Sequence, residues 1–127
     1  KDGKLLFVKE TQDGRWALPG GWADIGVSPA EMAAKEVHEE SGFEVKATRL
    51  LGVFGKQLDS QRVFSVYKLI FHCELVGGAA TTSHETSEVA FFARDGLPPL
   101  SMNRTHPRHL EQIFLRLDDP TLPAYLE

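Results

Sequence analysis

The sequence predicts a mixed α/β domain in which helices cover a β-sheet. Short apolar runs with two-residue alternation recur along the chain, and two segments with a helical apolar period stand among them. No internal repeat, low-complexity tract or linker divides the chain, so residues 1–127 read as one domain.

Taken in order, residues 4–9 are apolar and β-prone, and Gln12-Asp13-Gly14 is a hairpin-type turn signal. Residues 16–18 return as the partner strand before Pro19-Gly20-Gly21 interrupts it. The first strand begins almost at the first residue, which leads us to expect further chain upstream. Residues 28–41 form a helix with explicit signals: Ser28 as N-cap, Pro29 at the first helical position, Glu31 completing a capping box and Gly42 as the stop. Its apolar stripe, Ala30, Ala33, Ala34 and Val37, is mostly small, which suits close packing on a sheet. Residues 43–54 and 63–75 are strands. In the second, Val63, Tyr67, Leu69, Phe71, Cys73 and Leu75 alternate with Lys68, His72 and Glu74. Gly77-Gly78 turns the chain, residues 88–93 form a further short strand, and Pro98-Pro99 marks a loop. Residues 107–117 carry a helical pattern through Leu110, Ile113, Phe114 and Leu117.

A chain of 127 residues, 42% of them hydrophobic, needs no disulfide to hold a core. The single cysteine, Cys73, excludes an internal one and fits a reducing compartment. No apolar run approaches the ~20 residues of a membrane span, and the first residues lack a signal-peptide core. The expected setting is the cytoplasm. Fourteen basic against 18 acidic residues, net charge −4, argue against broad binding to nucleic acid. A small anionic ligand stays compatible, because a bound divalent cation reverses the local sign.

The chemistry is concentrated in Lys35-Glu36-Val37-His38-Glu39-Glu40-Ser41-Gly42. Residues three and four apart on a helix are neighbours, so Glu36, Glu39 and Glu40 share a face, at a cost of about 0.2–0.5 kcal/mol per like-charged pair. They also stand in the last turns, where the helix dipole disfavours each anion by about 0.3–1 kcal/mol. A solvated acidic face is the ordinary explanation of a charge run, but it leaves this double penalty unexplained. A hard divalent cation such as Mg²⁺, which takes carboxylate, phosphate and water oxygens, removes the conflict. Zinc is not indicated, since one cysteine and scattered histidines show no ligand spacing.

Residues 21–43 resemble the Nudix box, G-x5-E-x7-R-E-U-x-E-E-x-G-U with U an apolar residue. Gly21, Glu36, Val37, Glu39, Glu40, Gly42 and Phe43 fall on their places, and Leu18-Pro19-Gly20-Gly21-Trp22 is similar to the family's approach to the box. Two positions depart from it: Val27 stands at the first glutamate, and Lys35 at the arginine, keeping the charge but losing the planar fork. Weaker likenesses at Val66-Tyr67-Lys68, residues 85–89, Phe91-Phe92 and residues 97–101 point to a bacterial subgroup with a separate N-terminal helical segment. Some of its members act on ADP-ribose or CDP-choline.

The resemblance implies the Nudix α/β/α sandwich around a mixed sheet. It implies a metal site made by Glu36, Glu39 and Glu40 with the backbone carbonyl of Gly20, filled by Mg²⁺ with Mn²⁺ as its substitute. Glu36 would ligate the ion or act as base. Nudix enzymes often recruit another acidic residue beyond the box; Glu85 is the candidate for ligand or base, and Glu88 reads as a solvated neighbour. Trp22 is a candidate for stacking a base, whereas Trp16, on a strand, reads as core. Lys56 and Arg62 flank a loop and could hold a diphosphate by charge-assisted hydrogen bonds. Tyr67 reads as structural, His38 and His72 as solvent-facing, and His106 and His109, near Arg104 and Arg108, as a surface cluster rather than a second phosphate site.

The function implied is Mg²⁺-dependent cleavage of a nucleoside diphosphate linked to a group X, such as ADP-ribose or CDP-choline, into a nucleoside monophosphate and phosphorylated X. The expected partner is a small nucleotide, with a homodimer compatible with the family. A non-catalytic Nudix module that senses a nucleotide derivative is the alternative, favoured by Val27 and Lys35 and opposed by the retained glutamates. An RNA-processing role is disfavoured by the net acidity.

Overall fold

The computed structural model describes residues 1–56 and 66–127. Its elements are β1 (Lys4–Glu10), β2 (Trp16–Ala17), α1 (Pro29–Ser41), β3 (Phe43–Lys56), β4 (Val66–Gly78), β5 (Thr86–Ala93), α2 (Pro107–Asp118) and β6 (Tyr125–Leu126). The expected mixed sheet is two three-stranded sheets. One, of order β2-β1-β5, is antiparallel throughout; in the other, β4-β3-β6, antiparallel β3 and β4 are joined by a parallel β6. The arginine at position 62 and the start of the expected strand at Val63 lie outside the described residues, as does the side chain of Lys56.

Strand β1 is covered on both faces. Successive strand residues point to opposite sides, yet Phe7 and Val8 are both fully buried. Phe7 joins Leu51, Leu100, Leu110, Ile113 and Phe114 in one core cluster, and α2 packs against β3. Helix α1 lies against β3, β4 and β5. Its start follows the sequence signal, with the Glu31 N–H donating to Ser28 Oγ at 3.2 Å and Pro29 at the first helical position.

The end of α1 is fixed by tertiary partners. Gly42 adopts φ +82°, and its N–H donates to the His38 carbonyl at 2.9 Å. The Glu40 carbonyl accepts from Thr86 Oγ1 at 2.7 Å, and the Ser41 carbonyl accepts from the Thr81 N–H at 2.8 Å. Carbonyls that a helix end leaves without partners are thus bound to the segment leading into β5.

A second connection holds residues 99–105 beside β2. The Trp16 N–H donates to the Pro99 carbonyl at 2.9 Å, and the Ser101 N–H donates to the Trp16 carbonyl at 2.7 Å. Ser101 Oγ donates to Asp13 Oδ2 at 2.7 Å, and the Leu18 N–H donates to Thr105 Oγ1 at 2.9 Å. Trp16 itself packs edge-on against Phe92 with centroids 4.9 Å apart, in the core as expected.

Two expectations fail here. Tyr67 and Leu69 do not face the core; they are 73% and 43% exposed. The β3–β4 register shifts between Leu50 and Gly52, opposite Phe71 and Ile70, with Leu51 the extra residue on β3, so β4 has no insertion there. The β4 face that is half-buried at Phe71, Cys73 and Leu75 is uncovered at Tyr67 and Leu69. His109 is not at the surface but 7% exposed, its ring stacked on Phe54 at 4.3 Å, because α2 turns that position toward β3.

Gly42→Ala should destabilise the protein by about 2–4 kcal/mol, since a methyl there meets the Ala79 carbonyl and the Thr81 side chain and the left-handed backbone disfavours it. Gly55→Ala, whose methyl meets nothing, should change stability by less than about 1 kcal/mol. Urea unfolding of both variants checks the difference.

Candidate active site

The approach loop and the end of α1 meet around one peptide unit. The Gly20 N–H donates to Glu40 Oε2 at 2.7 Å, and the Gly20 carbonyl accepts from Arg104 Nη2 at 2.5 Å. The same guanidinium lies 3.5 Å from Glu40 Oε1, and its Nη1 lies 3.1 Å from Glu10 Oε1 at the end of β1. Glu40 is 5% exposed, which places a carboxylate in the interior with a peptide N–H and a guanidinium as partners. Next in the chain, Gly21 runs against Glu36: a methyl on Gly21 would stand 2.8 Å from the Glu36 carboxyl carbon. Glycine is therefore needed at this position for close approach.

The α1 glutamates separate in their surroundings. Glu36 and Glu40, one turn apart, lie toward the Gly20-Gly21 loop. Glu39 is half exposed, with Oε1 3.9 Å from Lys35 Nζ, and Lys35 is held by Asp24 Oδ2 at 2.7 Å. Among the described residues no three acidic or histidine side chains already close around a common point at metal-binding distance. The donors nevertheless suit a hard cation: a peptide carbonyl and carboxylates, all oxygen, and a cationic group already lies between the Gly20 carbonyl and Glu40.

Burial sets the electrostatics. It pushes the Glu40 carboxyl up to about 7, against the pull of Arg104 and the Gly20 N–H and with a further push from Glu36. Burial also raises Glu36, reinforced by Glu39, opposed by Arg104, and raised again by Asp24 and Glu85. Two carboxyls displaced upward in one place mark a functional site more often than a structural one.

Glu85 stands in the loop before β5. Thr11 pins its backbone, donating to the Glu85 carbonyl from N–H at 3.0 Å and from Oγ1 at 3.2 Å, while its side chain is exposed and its charge bears on Glu36. Glu88 pairs with Lys9, its neighbour across the β1–β5 ladder, at 3.2 Å. Trp22 is 71% exposed on the loop after Gly21. A pocket of about 440 Å³, bounded by Trp16, Thr81, Thr82, Ser87 and Glu88, includes none of the α1 glutamates. The converging polar groups, not this concavity, identify the site. Sequence reasoning missed Glu10 and the part played by Arg104. The only available signal was the run 97–101, whose likeness stopped three residues before the arginine.

In metal-free protein the raised Glu40 has a definite consequence. A carboxyl whose folded pKa exceeds its ordinary 4.5 makes the folded state bind more protons, so stability falls as pH rises between 4.5 and about 7. With chelator present, denaturation midpoints should decline over that window, and Glu40→Gln should flatten the decline. A slope unchanged in the variant would assign it to other groups.

The model of the NUDIX domain family matches residues 1–113. YjhB of Bacillus subtilis, provisionally named an ADP-ribose pyrophosphatase, is 39% identical over 94% of this chain and 59% of its own length. The crystal structure of a UDP-X diphosphatase superposes with TM-score 0.88 at 34% identity, covering all of this chain and 62% of that one. An ADP-ribose pyrophosphatase structure from Streptococcus suis gives TM-score 0.86 at 30% identity, covering all of this chain and 92% of that one. The chain thus spans about three-fifths of the first two. The two-helix, two-sheet arrangement is the Nudix sandwich, and the chain belongs to the Nudix family.

Proposed function

We propose that this chain is the catalytic domain of a Mg²⁺-dependent pyrophosphohydrolase acting on a nucleoside diphosphate linked to a second group. The supporting observation is the convergence of the Gly20-Gly21 loop with Glu40 and Glu36, two carboxyls raised by burial, in a Nudix chain. The names of the relatives, ADP-ribose pyrophosphatase and UDP-X diphosphatase, support the substrate class.

In this reading the Gly20 carbonyl, Glu36, Glu39 and Glu40 would hold the ion. A divalent ion there would supply positive charge against the diphosphate oxygens and make water more acidic. Glu85, on a backbone pinned by Thr11, takes the proton of the water that attacks phosphorus. Trp22 offers an exposed ring for stacking a base, and Lys56 and Arg62 supply cations for the diphosphate.

The test is a panel of nucleoside diphosphate derivatives incubated with Mg²⁺ or EDTA, with products identified by mass. Mg²⁺-dependent release of a nucleoside monophosphate is expected. Glu40→Gln and Glu85→Gln should each lower kcat by about 10²- to 10⁴-fold with melting temperature retained. Full activity in Glu40→Gln would end the ligand assignment. A compound that raises the melting temperature without being cleaved would instead favour a nucleotide sensor.

A further inference from the structure

The oxygens assigned above to the divalent ion already share a cation. Arg104 bridges the Gly20 carbonyl, at 2.5 Å from Nη2, and Glu40 Oε1, at 3.5 Å from both Nη1 and Nη2. Its backbone cannot follow a displaced side chain. The Arg104 N–H donates to the Ser101 carbonyl at 2.9 Å, its carbonyl accepts from the Lys68 ammonium, and the next residue, Thr105, is bound to Leu18. The guanidinium, by contrast, is held unevenly. Its contacts to the Gly20 carbonyl and to Glu10 are short, at 2.5 and 3.1 Å, whereas Glu40 lies at the limit of hydrogen bonding.

Glu10 supplies the second half of the observation. Its Oε1 is buried and has no formed hydrogen bond, although it stands 3.1 Å from Arg104 Nη1 as an ion pair. A buried acceptor left in this state is unusual. Because Nη1 already stands 3.1 Å from this oxygen, Glu10 can keep the guanidinium when Nη2 leaves the Gly20 carbonyl. A divalent ion bound to the Gly20 carbonyl and Glu40 cannot share those oxygens with a guanidinium at 2.5 Å, since like charges repel strongly in a buried setting.

We propose that Arg104 is the exchangeable counter-cation of this site. Its guanidinium occupies the divalent-ion position in metal-free protein, and the ion binds by displacing it toward Glu10. The inference rests on the metal-site reading above. It assigns Arg104 a positioning role: the arginine keeps the buried Glu40 and the partly buried Glu10 compensated and the Gly20 loop in place until the metal arrives, at the cost of weakening metal affinity. Buried carboxylates with no cation at all would be strongly destabilising.

The test is Mn²⁺ binding to substrate-free protein, followed by the spin-resonance signal of the free ion, for the wild type, Arg104→Gln, Arg104→Lys and Glu40→Gln. Arg104→Gln should bind Mn²⁺ about tenfold more tightly, the scale of one charge-assisted contact that no longer has to be broken. Arg104→Lys, which keeps the charge but cannot bridge two acceptors, should fall between it and the wild type, and it decides the matter if the glutamine variant does not fold. In EDTA, Arg104→Gln should melt below the wild type, and added Mn²⁺ should narrow the gap. A purely structural arginine gives the opposite result: weaker Mn²⁺ binding and a melting gap that Mn²⁺ leaves unchanged, which overturns the exchange. If Glu40→Gln abolishes Mn²⁺ binding while neither Arg104 variant tightens it, only the exchange fails. If Glu40→Gln leaves binding unchanged, the metal-site reading fails and the exchange with it.

Discussion

A carboxylate buried near the end of α1 is the constraint on which the site depends. Glu40 is 5% exposed, and an ionised side chain in that position is tolerated only when it is paired and hydrogen-bonded. Its partners come from far along the chain: a peptide N–H 20 residues earlier and a guanidinium 64 residues later. Each ties a loop to the helix. The Gly20-Gly21 loop must lie flat against α1 to deliver its N–H, and only glycine at 21 lets the backbone pass the Glu36 carboxylate.

The scaffold makes that arrangement hold. A helix end carrying three glutamates opposes its own dipole, so α1 would fray if its last carbonyls were left to water. Thr86 and the Thr81 N–H bind the carbonyls of Glu40 and Ser41, and Gly42 closes the turn. From the other side, residues 99–105 extend the hydrogen bonding of β2, which brings Arg104 to the Gly20 peptide. The arginine supplies the planar fork that Lys35 lacks; Lys35 spends its charge on Asp24 at the surface. Electrostatic compensation of the buried glutamate thus comes from outside the box.

Much of this was legible before any coordinates. Ser28, Pro29 and Gly42 bracket α1, and the glutamates at 36, 39 and 40 are wrong for a helix unless something binds them. What was not legible had specific causes. Tyr67 and Leu69 are exposed because the face of β4 that is half-buried at Phe71, Cys73 and Leu75 is uncovered at its other end, which the alternation along the strand does not reveal. His109 is buried because α2 presents it to Phe54, whereas its neighbours Arg108 and His106 made it look like part of a polar surface. Strand β6 is two residues long, too short for a periodic signal.

The amino-acid sequence alone determined the helix, its caps, the spacing of the carboxylates and the family to which that spacing belongs, because these depend on local backbone geometry and on residues within a few turns of one another. The tertiary structure decided which carboxylates are buried, and hence which have raised pKa values. It also decided that one sheet becomes two and that Arg104, rather than a residue of the box, bridges Glu40 and Gly20. Those outcomes depend on contacts across 64 and 84 residues, whose partners are chosen by strand pairing and core packing and leave no periodic trace along the chain.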